Sequence, residues 1–238
     1  MISILNFLIS KLKKTEYKLD SSIKTIDILG IVWIRVLYLW RGIYRRIGTD
    51  KCGKFLFVGK KVELKGKRFI KLGNGITIDN HVSLDALSIE GIYIGNNVHI
   101  GTYTKMACSG SLKNLGKGLK IGNNSGIGDF CFFGAAGGIQ IGNNVIMGQN
   151  VRFHSENHNF DRLDIPIKEQ GVTNKGITVG NDCWIGSGAV FLDGVEVGDG
   201  CVIGANTLVN KNIPAYSVAV GNPVKIVKSR LEMKERIN

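Results

Sequence analysis

ITVGNDCWIGSGAVFLDGVEVGDGCVIGANTLVNKNI, residues 177–213, decides the fold. An aliphatic or aromatic residue, usually followed by Gly, returns every six positions: Val179-Gly180, Ile185-Gly186, Phe191, Val197-Gly198, Ile203-Gly204 and Val209. A second small or aliphatic residue stands four places after each, at Cys183, Ala189, Val195, Cys201, Thr207 and Ile213. A fixed period is the mark of a solenoid, whose single units bury their apolar face only when a neighbour stacks on them. Six residues suit a short strand with its large side chain turned inward, followed by a corner where Gly or Asn relieves the backbone. Three such steps close a triangular coil, and stacked coils pair their strands in parallel.

Run backwards, the register gives inward triples at Leu72, Ile78, Leu84; Ile94, Ile100, Met106; Ile121, Ile127, Phe133; and Ile141, Met147, Phe153. With the two C-terminal triples these make six coils, and Cys52, Val58 and Leu64 make a seventh, looser one. The intervals 64–72, 84–94, 106–121, 133–141 and 153–179 exceed six, and each follows a third step. All insertions are therefore expected along one edge of the prism. The longest, residues 154–178, is far more than a corner needs, and a long loop in a regular solenoid points to function. The chain divides into a helical N-terminal extension (1–51), the solenoid (52–227) and a C-terminal helix or tail (228–238).

Composition agrees with an ordered, many-cornered chain: 32 Gly stand against 3 Pro, with 44% hydrophobic residues. The formal charge of +12 calls for an anionic partner, such as nucleic acid, an anionic membrane face, a phosphorylated cofactor or an acidic glycan. No nucleic-acid module accompanies that charge, so nucleic acid is set aside. Cys52, Cys108, Cys131, Cys183 and Cys201 show no C-x-x-C pair and no zinc-type histidine spacing, and read as reduced, cytosolic side chains without a metal. The apolar start Ile2 to Ile9 has Lys11, Lys13 and Lys14 after it rather than before it, and no cleavage site, so it does not read as a secretory signal.

Residues 28–47 combine Trp33 and Trp40 with Arg35, Arg41, Arg45 and Arg46. The stretch Ile28 to Trp40, broken by Arg35, is too short and too charged to span a bilayer. At 100° per residue Arg35 and Arg46 share a helical face. The pattern fits an interfacial helix on an anionic membrane, and equally a helix packed on the prism end or on a neighbouring subunit.

Two of the four histidines, His154 and His158, lie in the long loop; His81 and His99 fall at outward repeat positions and read as surface. Acyl transfer to an alcohol needs a base that works near neutral pH, which imidazole supplies. On these grounds either loop histidine could serve, and either could be plain surface.

The stretch HSENHNFDRLDIPI (154–167), followed by ITVGNDCWIGSGAVFLDGVEVGDGCVIGANTLVNKNIPAYSVAVGNPVKIVK (177–228), resembles the galactoside, maltose and polysaccharide O-acetyltransferases of the hexapeptide-repeat acyltransferase superfamily. The resemblance implies an all-β solenoid, a left-handed parallel β-helix, although general rules favour right-handed crossovers. It places the catalytic base at His158, ahead of Trp184-Ile185-Gly186, with His154 as the secondary candidate and Glu156 as a residue that could orient an imidazole. It assigns Trp184 to the acceptor and pantetheine channel, Ser187 and Ala205 to pantetheine, and Asn210, Lys211, Lys225 and Lys228 to the nucleotide phosphates of acetyl-CoA. Asn210 departs from a frequent hydroxyl residue, and Lys225 and Lys228 from frequent arginines, which loosens phosphate geometry relative to a bidentate clamp.

An acceptor-contacting Asn of the galactoside enzymes falls on Gly128, which argues against a simple galactoside. The implied protein is a cytoplasmic acetyl-CoA-dependent O-acetyltransferase, peripheral at the inner membrane face where the interfacial reading of residues 28–47 holds. It would act on a sugar hydroxyl of a capsule, O-antigen or exopolysaccharide, or of its precursor. The implied assembly is a homotrimer with sites between subunits and no metal. The alternatives are an amino-sugar N-acetyltransferase or other small-molecule acetyltransferase, a zinc-holding γ-type carbonic anhydrase, and a β-solenoid without chemistry.

Overall fold

The computed structural model describes residues 19–20 and 22–235. The apolar start Ile2 to Ile9 and the last three residues of the C-terminal segment lie outside the described residues.

Three parallel sheets form the faces of a triangular prism. The first face runs from Lys51–Cys52 to Glu196–Val197 in seven strands, and the third from Glu63–Lys65 to Leu208–Val209 in seven. The second has nine, from Phe57–Val58 through Val202–Ile203 to Ser217–Val220 and a final antiparallel strand, Lys225–Ser229. The chain visits the faces in turn and so completes seven left-handed coils, followed by a short helix, Arg230–Glu235.

The inward register is the one read from the repeat. On the first face Leu72, Ile94, Ile121, Ile141, Val179 and Val197 pair in succession, and on the third Leu84, Met106, Phe133, Phe153, Phe191 and Val209 do the same. All twelve are buried. Cys52, Val58 and Leu64 pair with Leu72, Ile78 and Leu84 as a complete first coil, and Cys52 and Leu64 are only partly buried because no described coil stacks beyond them. The insertions all leave between the third and first faces, as the spacing requires.

Corners are held by repeated side chains. An Asn ladder, Asn74, Asn96, Asn123, Asn143 and Asn181, ends on Asp199, each amide oxygen or the final carboxylate accepting from the backbone N–H of the coil before. The second inward position takes residues that can donate: Ser125, Cys131, Cys183 and Cys201 reach carbonyls of the next coil at Gly142, Gly148, Gly198 and Pro214 over 3.1–3.4 Å. Burial pushes the thiols of Cys108 up to about 12 and Cys131 up to about 11, so both stay protonated near neutral pH.

A parallel solenoid ends in an open sheet edge that must be covered. The helix Thr25–Arg45 lies along the first strand of the second face, Phe57–Val58. Arg41 donates to the carbonyl of Val58 at 3.4 Å and Arg46 to that of Cys52 at 3.0 Å, both at the open edge, while Arg35 reaches Thr77 Oγ1 at 3.1 Å. The helix sits close because Gly42 has no side chain: a Cβ there would lie 1.8 Å from the Leu56 oxygen. The helix packs on the prism end, one of the arrangements that the sequence leaves open.

Candidate active site

The long insertion is an ordered arm. Leaving the third face after Arg152–His154, the chain forms a short antiparallel pair in which Asn157 faces Thr173 and His158 faces Val172. The foot is pinned on both limbs. Ser155, fully buried, donates to Gly134 O at 2.8 Å and accepts from Gly137 N at 2.9 Å, and Asp193 accepts from the N–H groups of Lys175 and Gly176 at 3.0 and 2.8 Å. Gln170 staples the tip: its amide donates to Arg162 O at 2.7 Å and Ile165 O at 3.1 Å and accepts from Arg162 N at 3.0 Å. Asn159 adds a bond from its side chain to Gln170 O at 3.0 Å.

His158 is held on this pair with its side chain exposed to solvent. His154 sits elsewhere, outward on the third face, with its ring 5.6 Å from that of Phe132. It borders a cleft of about 190 Å³ walled by Ala107, Phe132, Gly134, Ala136 and Glu156. Burial, and then the Arg152 guanidinium, hold its imidazole below the usual histidine range, which favours the neutral form. Among the described residues no hydrogen bond joins Glu156 to either imidazole.

The other two histidines are remote from both. His99 Nε2 donates to the Asp79 carboxylate at 2.7 Å on the second face, and His81 occupies a corner at φ 58°, stacked on Tyr103 at 4.5 Å. No group of three or more His, Cys, Asp or Glu among the described residues is arranged to hold a metal ion.

The expected cofactor residues fall into two sets. Trp184 projects from the second face, 58% exposed, between Ile146 and Val202, and Ser187 and Ala205 occupy the corner that follows in this coil and the next. Lys225 and Lys228 lie on the closing strand of the same sheet. Asn210 and Lys211 instead follow the third face, on the edge that carries the arm. A single prism therefore does not bring His158 to Trp184: they stand on different edges. Gly128 is a corner with no room for a side chain, since a Cβ would lie 2.4 Å from the Gly148 oxygen, so the position expected of an acceptor Asn supplies only backbone.

Sequence reasoning missed Ser155, Asn159, Gln170 and Asp193, the residues that shape the arm. Their partners are mostly backbone groups distant along the chain, which leaves no spacing signal. Gln170→Ala should cost the arm about three hydrogen bonds of roughly 1 kcal/mol each and speed amide exchange of Arg162 at least about tenfold, with exchange in the coils unchanged. Unaltered exchange at Arg162 by mass spectrometry or NMR would show that Gln170 is not the staple.

A family model for the bacterial transferase hexapeptide, six repeats, matches residues 176–211. A protein of Mycobacterium tuberculosis named as a probable acetyltransferase is 36% identical over 160 residues, covering 67% of this chain and 49% of its own. The chloramphenicol acetyltransferase of Agrobacterium fabrum is 36% identical over 110 residues, covering 44% of this chain and 52% of that one. The chain thus spans about half the length of these relatives. The crystal structure of a serine-to-alanine mutant of AntD, an N-acyltransferase from Bacillus cereus, in complex with dTDP-4-amino-4,6-dideoxyglucose and coenzyme A, superposes with a TM-score of 0.55 at 19% identity, covering 83% of this chain and 95% of that one. That likeness is one of fold.

Proposed function

We propose that this chain, whose residues 176–211 match the bacterial transferase hexapeptide model, moves an acetyl group from acetyl-CoA to a sugar hydroxyl of a surface polysaccharide or its precursor. One observation carries this reading. The longest excursion from an otherwise regular solenoid is a pinned arm that presents the imidazole of His158 in the open. In the proposed step His158 takes the hydroxyl proton while the oxygen attacks the thioester carbonyl. Backbone N–H groups at a corner stabilise the oxyanion, and collapse breaks the C–S bond, the imidazolium returning its proton to the departing thiolate. No acyl-enzyme intermediate is required.

Trp184, Ser187 and Ala205 share one edge with the exposed lysines Lys225 and Lys228, which suits a pantetheine arm leading to phosphates. Because that edge is not the edge of His158, the reading requires a neighbouring prism, and a closed trimer supplies one at each of its interfaces. His154, with its own cleft, is the secondary candidate for the base. A lipid-linked precursor at the inner face of a membrane is the acceptor we favour over a simple galactoside, since Gly128 offers no side chain.

The test is an acceptor screen with acetyl-CoA that compares glycan hydroxyls with amino sugars and chloramphenicol and reads thiol release. Turnover on hydroxylated oligosaccharides is the expected result. Turnover confined to free amines would replace O-transfer by N-transfer, and thiol release with none of them would remove the proposal.

A further inference from the structure

The N-terminal helix is turned inside out. Its arginines Arg35, Arg41 and Arg46 reach the prism, and its buried residues are Ile28 and Gly42. On the opposite side Leu29, Trp33, Val36, Trp40 and Tyr44 fall within an arc of about 80° at the α-helical period, and no charged residue shares that arc. All five are at least 50% exposed, and Trp40 meets Tyr44 edge-to-face at 5.0 Å. A contiguous apolar face of this kind on a water-facing helix marks a binding surface. No described helix is long and apolar enough to cross a membrane.

What surrounds this face identifies its partner. Residues 45–71, the first coil and its flanks, carry ten Lys or Arg and only two acids, Asp50 and Glu63, so this short segment holds +8 of the formal charge of +12. The bases circle the prism: Lys51 on the first face, Lys54 and Lys60 at its successive corners, Lys65 on the third face and Arg68 beyond it, all exposed. The two acids pair with Lys71, at 3.3 Å, and Lys65, at 3.8 Å. An aromatic-rich apolar face set within a basic collar matches the layered chemistry of an anionic bilayer surface, with acyl chains beneath phosphate headgroups. A second copy of this end would bring two collars of like charge together, which opposes self-docking.

We propose that the open end of the prism docks on an anionic lipid surface, with Leu29, Trp33, Val36, Trp40 and Tyr44 in the interface and the collar on the headgroups. The inference stands apart from the acyl-transfer reading, because its test uses no substrate.

The full chain is mixed with vesicles of phosphatidylcholine alone or with 30–40% phosphatidylglycerol, roughly the anionic content that makes a basic patch effective. Co-sedimentation and tryptophan emission are followed. Binding to the anionic vesicles with a blue shift, weakened by salt, is the expected result. Trp33→Asp with Trp40→Asp should abolish it, and Lys54→Glu with Lys60→Glu should lower partitioning at least about tenfold. Circular dichroism checks each fold, and if the first variant unfolds the collar variant decides. Failure of the unmodified chain to bind anionic vesicles overturns the proposal. So does binding that survives the collar variant, or an apolar face shown by sedimentation velocity to serve only to join copies of the chain.

Discussion

Alanine in place of His158 should slow acetyl transfer at least about a hundredfold while leaving affinity for CoA nearly intact, because the imidazole is proposed to act on the acceptor proton and not on the donor. The site of the change favours a clean result. The side chain is exposed on a pair whose fixed contacts are backbone bonds and the staples of Gln170, Asn159, Ser155 and Asp193, none of which uses the imidazole. The expected signature is a fall in kcat with unchanged thermal melting and unchanged CoA titration. His154→Ala provides the contrast: it opens the cleft beside Phe132 and should cost far less in turnover if His158 is the base. Near-normal activity in the His158 variant, or equal losses in both, would overturn the assignment.

The same variant tests the division of the site between edges. A chain with His158→Ala and one with Trp184→Ala, refolded together, would recover roughly a quarter of the native rate if each site takes one residue from each of two neighbours in a randomly mixed cyclic trimer. Within one prism the two side chains stand on different edges, so a site that used both from a single chain would give no recovery.

The architecture was legible because inward and outward positions in a six-residue step differ so sharply in chemistry. Leu72 through Ile141 and Leu84 through Phe153 are a backward count from the run Val179 to Val209, and each pairs as counted. The arm was legible as a length and not as a shape. Asn157-His158 and Val172-Thr173 are too short to alternate, and their pairing is fixed by the remote partners of Gln170 and Ser155. For the helix, the period put Arg35 and Arg46 on one side without saying which side meets the protein. Open carbonyls such as that of Val58 decide it, and they exist only once the first coil has formed. His81 was read as surface, yet it takes a left-handed corner and stacks on Tyr103, a contact between coils that the period does not encode.

Phe153→Ala should destabilise the fold by about 3–5 kcal/mol, the largest stability effect expected of a single core truncation here. Phe153 is fully buried at the centre of a column, its ring 4.8 Å from Phe133 and 4.6 Å from Phe191 and nearly parallel to both. Removing it forfeits two ring contacts as well as buried area, and the backbone ladder from Phe133 through 153 to Phe191 resists collapse into the cavity. Phe153→Leu, which fills more of the space, should cost clearly less. In a solenoid each coil is stabilised by its neighbours, so a weakened coil between two halves also threatens cooperativity. At roughly 2–4 °C per kcal/mol for a domain of this size, the alanine variant should melt about 10 °C lower. Urea unfolding followed at Trp184 and by far-ultraviolet circular dichroism should then separate into two transitions if the break uncouples the coils. A loss below about 1 kcal/mol with a single unchanged transition would mean that the column is not the axis of stability its burial implies.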